Sequence, residues 1–294
     1  MSIIIDQHTR LLVQGMTGRE GRFHTEQMLA YGTNVVGGVT PGKGGQELLG
    51  LPVFNSVREA VEKTGADATV LFVPAQHTPQ GVYEAADAGI GTILTISEHT
   101  PVHDMMKCRC YARMKNARLF GPNSFGIISP GKAKAGFMAH DIFMQGPVGL
   151  MTRSATNGYE TVSLMTKEGI GQSTCVGIGG DMVPGSSYAD ILPDYEADPE
   201  TRAIVIIGEI GGYDEEAAAE YIKRHVRKPV VALIAGKNAP KGKNMGHAGA
   251  IISADGAGSA ENKERALREA GVRIAEDAGQ IVDILAGMRR EGLL

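Results

Sequence analysis

The chain has 294 residues, a formal net charge of −4 and 43% hydrophobic residues, a length too great for one ordinary core and suited to two globular domains. Aromatic residues make up 5% of the chain and Trp is absent, which argues against the stacking platforms that bind single-stranded nucleic acid. The near-balanced charge argues against nucleic acid or a membrane surface as partner.

No stretch of about 18 apolar residues is present to span a membrane. The start, Met1 to Asp6, lacks the basic head and long apolar run of a signal peptide. Cys108, Cys110 and Cys175 make no disulfide framework, so a reducing, cytoplasmic setting is expected. The Cys108–Cys110 spacing is wrong for a zinc pair and no companion pair lies at a matching distance, so no metal site is expected.

In chain order, Leu11–Gln14 reads as a buried strand that runs into Gly15, followed by a helix over Arg19–Tyr31. Strands are predicted at Asn34–Val36, Thr69–Val73 and Thr92–Ile96, with helical periodicity at 57–62, 81–88 and 104–115. The stretch from Gly121 to Val148 is rich in Gly and Pro and reads as a linker and connection. The alternation then restarts with strands at Val148–Thr152, Ser173–Gly177, Ala203–Ile207 and Val230–Ile234. Helices are expected at 159–167, 215–225, 263–270 and 278–288. Short apolar runs alternating with helical segments predict two α/β domains with parallel sheets.

The turn Gly15-Met-Thr-Gly18-Arg-Glu-Gly21 lies between a strand and a helix, where backbone N–H groups and a helix N-terminus receive phosphate. Its spacing matches the dinucleotide fingerprint only weakly. The second strand leads to Lys43 rather than to an acidic residue. A lysine there favours a phosphorylated ribose, as in the 3′-phosphate of coenzyme A or the 2′-phosphate of NADP. The bland alternative is a tight turn and a solvated loop.

In the second half, Thr152-Arg-Ser154-Ala-Thr156-Asn-Gly-Tyr159-Glu160 opens a helix. Ser154, Thr156 or Asn157 suits the cap, and Glu160 stands where a capping box with Asn157 would put it. The same helix end suits a phosphoryl group or carboxylate. Gly177 to Ser186 is a second glycine loop and a candidate ligand wall. Glu209 ends the most apolar strand, where α/β sheets build their sites. His247 lies in Met245-Gly-His-Ala-Gly-Ala250, preceded by Lys237, Lys241 and Lys243. Glycines admit close approach of a phosphate, and a neutral imidazole is a nucleophile at physiological pH. Together they predict a loop that carries a phosphoryl group on His247, with Glu209 orienting the ring. The alternative is a solvated glycine loop with an idle histidine.

With these residues assembled, the chain resembles the alpha subunits of succinyl-CoA synthetases, within the nucleoside-diphosphate-forming acyl-CoA synthetases. The likeness spans nearly the whole chain and rests on residues 32–45, Val176–Asp181, Gly208–Gly212, Ala239–Lys243 and Gly246–Ile252. It implies a Rossmann-like CoA-binding domain over 1–122 and a flavodoxin-like ligase domain over 123–294. It implies CoA binding through Thr17, Gly18, Arg19, Glu20, Gly21, Lys43, Val73, Pro74, Ser97, Glu98 and Asn123. The catalytic pair is implied to be His247 and Glu209, with the acid near Ser154, Ala155, Thr156 and Tyr159. A separate ATP-grasp beta subunit is implied, forming a heterodimer or heterotetramer and supplying ATP or GTP and Mg²⁺.

Departures from the family pattern gather around the expected acid site and, at Gln76-His77, near the coenzyme A. Ala155 stands for a usual glycine, Asn157-Gly158 for Leu-Thr, Ser124-Phe125 for Cys-Pro and Gln76-His77 for Pro-Phe. Succinate is therefore weighed against malate, citrate, itaconate or a sulfonated carboxylate. A non-catalytic CoA-binding protein and an NADP-dependent reductase are the readings from other classes.

Overall fold

The computed structural model describes residues 2–240, 242–243, 246–253 and 256–294. Its first half builds a sheet from β1 (Leu11–Gln14), β2 (Val35–Val39), β3 (Glu47–Leu48), β4 (Leu51–Phe54), β5 (Ala68–Leu71), β6 (Thr92–Thr95) and β7 (Arg118–Phe120). The helices between them are α1 (Arg19–Tyr31), α2 (Val57–Thr64), α3 (Thr78–Asp87) and α4 (Val102–Met114). The strand order is β3-β4-β2-β1-β5-β6-β7, parallel apart from the β3–β4 pair. After β1 the chain first adds β2 on one side and later β5 on the other. The crevice at the carboxyl ends of β1 and β5 is thus a topological switch point.

The second half contains β8 (Gly126–Ser129), β9 (Ala133–Gly136), β10 (Gln145–Thr152), β11 (Gln172–Gly177), β12 (Ala203–Glu209), β13 (Val230–Ala235) and β14 (Arg273–Ala275). Its helices are α5 (Ala155–Lys167), α6 (Tyr188–Ala197), α7 (Asp214–His225), α8 (Ala260–Glu269) and α9 (Ala278–Arg290). The order is β14-β13-β12-β10-β11-β8-β9, with a switch point between β10 and β12. Every residue of β12 is buried, because helices cover both faces of a parallel sheet. The chain belongs to the α/β class with a Rossmann-like domain followed by a flavodoxin-like one.

Two sequence expectations are corrected. The stretch from Gly121 to Val148 is no mere linker: β8 and β9 pair antiparallel with each other, and β8 pairs antiparallel with β11. The second sheet is therefore mixed. These strands hold four residues each and are separated by Pro130 and Gly131, so turn residues hide the strand signal. Helix α6 also escaped, since it carries an internal Pro193. The capping box expected at Asn157 and Glu160 does not form; Ser154 caps α5 by accepting from Asn157 N–H. A capping box appears instead at Ser187 and Asp190 of α6.

The halves share packing. One apolar cluster includes Val13, Met28 and Phe120 from the first and Ile127, Ala135 and Tyr188 from the second. Helix α1 packs on β9. Beyond α1, Thr33 Oγ1 donates to Lys134 O at 2.8 Å and accepts from Lys134 N–H at 2.9 Å.

Candidate active site at the carboxyl ends of two sheets

The switch point of the second sheet gathers residues far apart in sequence. Glu209 closes β12, Ser154 begins α5 just after β10, and His247 arrives on the loop beyond β13. His247 Nδ1 lies 2.5 Å from Glu209 Oε2. The hydrogen bond to Glu209 raises the imidazole pKa above its ordinary 6.5, against the effect of partial burial. A neutral ring that donates Nδ1–H to the carboxylate carries its lone pair on Nε2. A cavity of about 220 Å³ lies here, lined by Ser154, Asn157, Glu209, Gly236, His247 and Ala250 among others. Gly180 backs the ring so closely that a Cβ on it would stand 2.5 Å from Cγ and Cδ2 of His247.

Behind this pair lies a buried charge network. Arg153 Nε and Glu209 Oε1 form an ion pair at 2.9 Å in which, among the described residues, neither atom has a hydrogen-bond partner, and Arg153 Nη1 donates to Asp214 Oδ2 at 3.1 Å. Arg153 Nη2 donates to Asp181 O at 2.9 Å. Glu209 N–H donates to Glu215 Oε1 at 3.0 Å, and Glu215 pairs through Oε2 with the fully buried Lys263. Burial pushes the Glu215 carboxyl up, a shift that Lys263 and Arg153 partly offset. Buried charges persist only when paired in this way.

The switch point of the first sheet holds a larger cavity, about 350 Å³, lined by Gln14, Gly15, Val39, Thr40, Val73, Pro74, His77 and others. Gly15 has φ +78°, and a Cβ there would fall 2.3 Å from Phe72 O, so only glycine makes this turn. The N-terminus of α1 follows, with Gly18 as cap and no side chain bonded to it. Open N–H groups beside a crevice suit a phosphate, so these residues fit the nucleotide end of coenzyme A. Thr17 Oγ1 donates to Thr40 Oγ1 at 3.1 Å. Gly21 is buried, Arg19 and Glu20 are exposed with 3.8 Å between their charged ends, and Lys43 is exposed.

A ladder of contacts joins the two sites. Ser97 Oγ donates to Val73 O, Asn123 N–H donates to Ser97 O at 3.0 Å, and Gly180 N–H donates to Asn123 O at 3.3 Å. Glu98 stays exposed beside His99. Between the domains lies a cavity of about 230 Å³, lined by His99, Thr100, Pro122, Asp181, Met182 and Ala248 among others. Asp181 is 5% exposed and, among the described residues, its Oδ1 has no hydrogen-bond partner. Burial raises its pKa, although N–H groups of His99 and Thr100 and the Asn123 side chain favour the ionised form.

Other predicted residues lie elsewhere. Ala155, Thr156 and Tyr159 do not line the His247 cavity; Tyr159 turns to Phe125, ring centroids 5.2 Å apart, and accepts from Ala139 N–H. Lys237 is tied to Glu264 at 2.6 Å and Glu276 at 2.5 Å, so this cation is spent on a structural pair rather than the phosphoryl loop. Lys241 and Met245 lie outside the described residues. Arg153, Asp214, Glu215 and Lys263 carried no expectation from the sequence. The only hint for Arg153 is a cation directly after the apolar run of β10.

This fold and pair of sites define a two-domain CoA ligase. Residues 6–99 match the CoA binding domain family and residues 151–280 the CoA-ligase family. The chain is 52% identical over 286 residues to the succinate–CoA ligase [ADP-forming] subunit alpha 2 of Archaeoglobus fulgidus, covering 97% of this chain and 99% of that one. It is 51% identical over 288 residues to the corresponding alpha subunit of Aquifex aeolicus, with 97% and 94% covered. In fold it is similar to ATP citrate lyase from Methanothrix soehngenii, solved with citrate and coenzyme A, at TM-score 0.87 and 23% identity over 98% of this chain and 51% of that one. A dinucleotide-forming acetyl-coenzyme A synthetase 1 of Ca. Korarchaeum cryptofilum, solved with phosphate and ADP, superposes at TM-score 0.76 and 23% identity over 92% and 58%. The chain belongs to the family of succinate–CoA ligase alpha subunits, ligases that form a carbon–sulfur bond.

Proposed function

We propose that this chain is the alpha subunit of an ADP-forming ligase that joins succinate to coenzyme A through a phosphohistidine. The observation that carries the reading is the 2.5 Å contact between His247 Nδ1 and Glu209 Oε2 at the switch point of the second sheet. Glu209 holds the ring so that Nε2 attacks a terminal phosphoryl group: an N–P bond forms and the P–O bond to the diphosphate breaks. His247 then surrenders the phosphoryl group to a carboxylate oxygen of the acid. The thiol of coenzyme A attacks that activated carbonyl, forming C–S and expelling phosphate. The N-terminus of α5, with Ser154 and Asn157 at the cavity, offers N–H groups to the phosphoryl group or the acid.

On this reading residues 1–122 bind coenzyme A, with the α1 turn and Lys43 toward its phosphates, and residues 123–294 form the ligase domain. A beta subunit of ATP-grasp type supplies the nucleotide and Mg²⁺, and the ADP-forming relatives favour ATP over GTP. No helix among the described residues is long and apolar enough to cross a membrane, and we assign the complex to the cytoplasm.

Asn157 at the cavity favours one second reading, a more polar acid such as malate. The test is diphosphate release dependent on coenzyme A by the chain with its beta subunit, across succinate, malate, citrate, itaconate and sulfonated acids. Succinate is expected to turn over fastest and H247N to be inactive. Preference for another acid would reassign the substrate, and activity retained in H247N would remove the mechanism.

A further inference from the structure

We propose that Arg153 is a positioning residue of the phosphohistidine centre: its guanidinium occupies one carboxylate oxygen of Glu209, so that Glu209 meets His247 through the other. The proposal rests on the reading of His247 as phosphoryl carrier. Arg153 is 6% exposed and sits between β10 and the cap of α5. Its nitrogens end on separate segments: Nε faces Glu209 at the end of β12, Nη1 faces Asp214 at the start of α7, and Nη2 faces Asp181 O beyond β11. A planar fork can fix three loop ends at once, whereas an ammonium on a flexible stem cannot.

The second consequence is electrostatic. The charged groups that face His247 are Glu209 from β12, Asp181 from the loop after β11 and Arg153 from the end of β10. The two acids favour imidazolium and Arg153 opposes it. Nucleophilic attack needs the neutral ring with its lone pair on Nε2. Arg153 thus opposes the protonation that Glu209 and Asp181 favour, while Glu209 orients the imidazole.

The experiment is an NMR titration of His247 in full-length chain labelled with ¹⁵N-histidine, as wild type, R153Q and R153K, with circular dichroism to verify folding. In R153Q the guanidinium no longer holds Glu209, so the neutral ring is expected to populate both tautomers instead of the one that keeps Nδ1–H toward Glu209. In R153K the charge remains and the fork is lost, so the neutral ring should again populate both tautomers. A neutral ring in folded R153Q that keeps the single wild-type tautomer overturns the proposal. Should R153Q fail to fold, R153K decides: a mixed tautomer upholds the proposal and the wild-type tautomer overturns it. Phosphorylation of His247 by ATP and the beta subunit is assayed separately, so loss of the carrier reading is distinguishable from loss of this one.

Discussion

Gly180 and His247 are in contact as backbone against ring: a Cβ at 180 would lie 2.5 Å from Cγ and Cδ2 and 2.7 Å from Nδ1. The ring cannot yield toward Gly180 and is held on another side by Glu209. G180A should therefore push the imidazole off its carboxylate. Phosphohistidine formation from ATP is expected to fall by about 10- to 100-fold, the scale of an ångström-size misplacement. Coenzyme A binding by the first domain should be unchanged. Calorimetry of coenzyme A beside rapid-quench labelling of His247 checks both halves.

The raised pKa of His247 places the acid limb of phosphorylation above the ordinary imidazole value, because protonated Nε2 cannot attack. Glu209 is the main cause, so E209Q should move the limb to lower pH. The plateau should also drop, by about a hundredfold, as orientation and stabilisation of positive charge are lost. The sign for stability is opposite. The pair's contribution is full below pH 6.5 and is lost as pH rises through the raised folded value. Rate–pH and melting–pH profiles of wild type and E209Q should therefore diverge in opposite directions.

Asp181 predicts a gain in stability on substitution. Its carboxyl is buried, Oδ1 lacks a partner among the described residues, and burial raises its pKa. A buried acid with a raised pKa costs stability at neutral pH, and the cost shrinks as pH falls through that value. D181N should therefore melt a few degrees higher than wild type at pH 7, with the difference vanishing at acid pH. Sites kept for function commonly carry such a cost. Differential scanning fluorimetry from pH 4 to 8 would reveal it, and a lower melting point at pH 7 would refute it.

Lys263 and Glu215 form a fully buried ion pair. Removing one member strands the other, so K263M should cost about 3–5 kcal/mol in urea unfolding. The loss should be largest at neutral pH and smaller in acid, where Glu215 takes up a proton. Because Glu215 also holds the Glu209 backbone N–H, phosphorylation of His247 should slow in parallel.

Much of this was legible in the sequence for particular physical reasons. The strand at 203–209 is a continuous apolar run because its sheet is covered on both faces. The helix at 19–31 is bounded by Gly18 and by Gly32 in the left-handed region. His247 stood out because its glycine-rich surroundings serve few structural ends. Arg153 did not, because what marks it is three partners at positions 181, 209 and 214, a property of folded loops and not of sequence neighbours. Strands β8 and β9 were lost among turn residues, since four-residue strands, one starting at Gly126 and the other ending at Gly136, present no alternation to read.

The packing of α1 on β9 has a consequence for how the chain divides. Strand β9 is the last in the order of the second sheet, and all four of its residues are buried. A bare sheet edge is a template for pairing with another chain. Here the first domain shields that edge, so the half that carries the His247 loop depends on its coenzyme-binding neighbour for solubility as well as for chemistry. Cutting the two apart would uncover an adhesive border, and the freed ligase half is expected to self-associate.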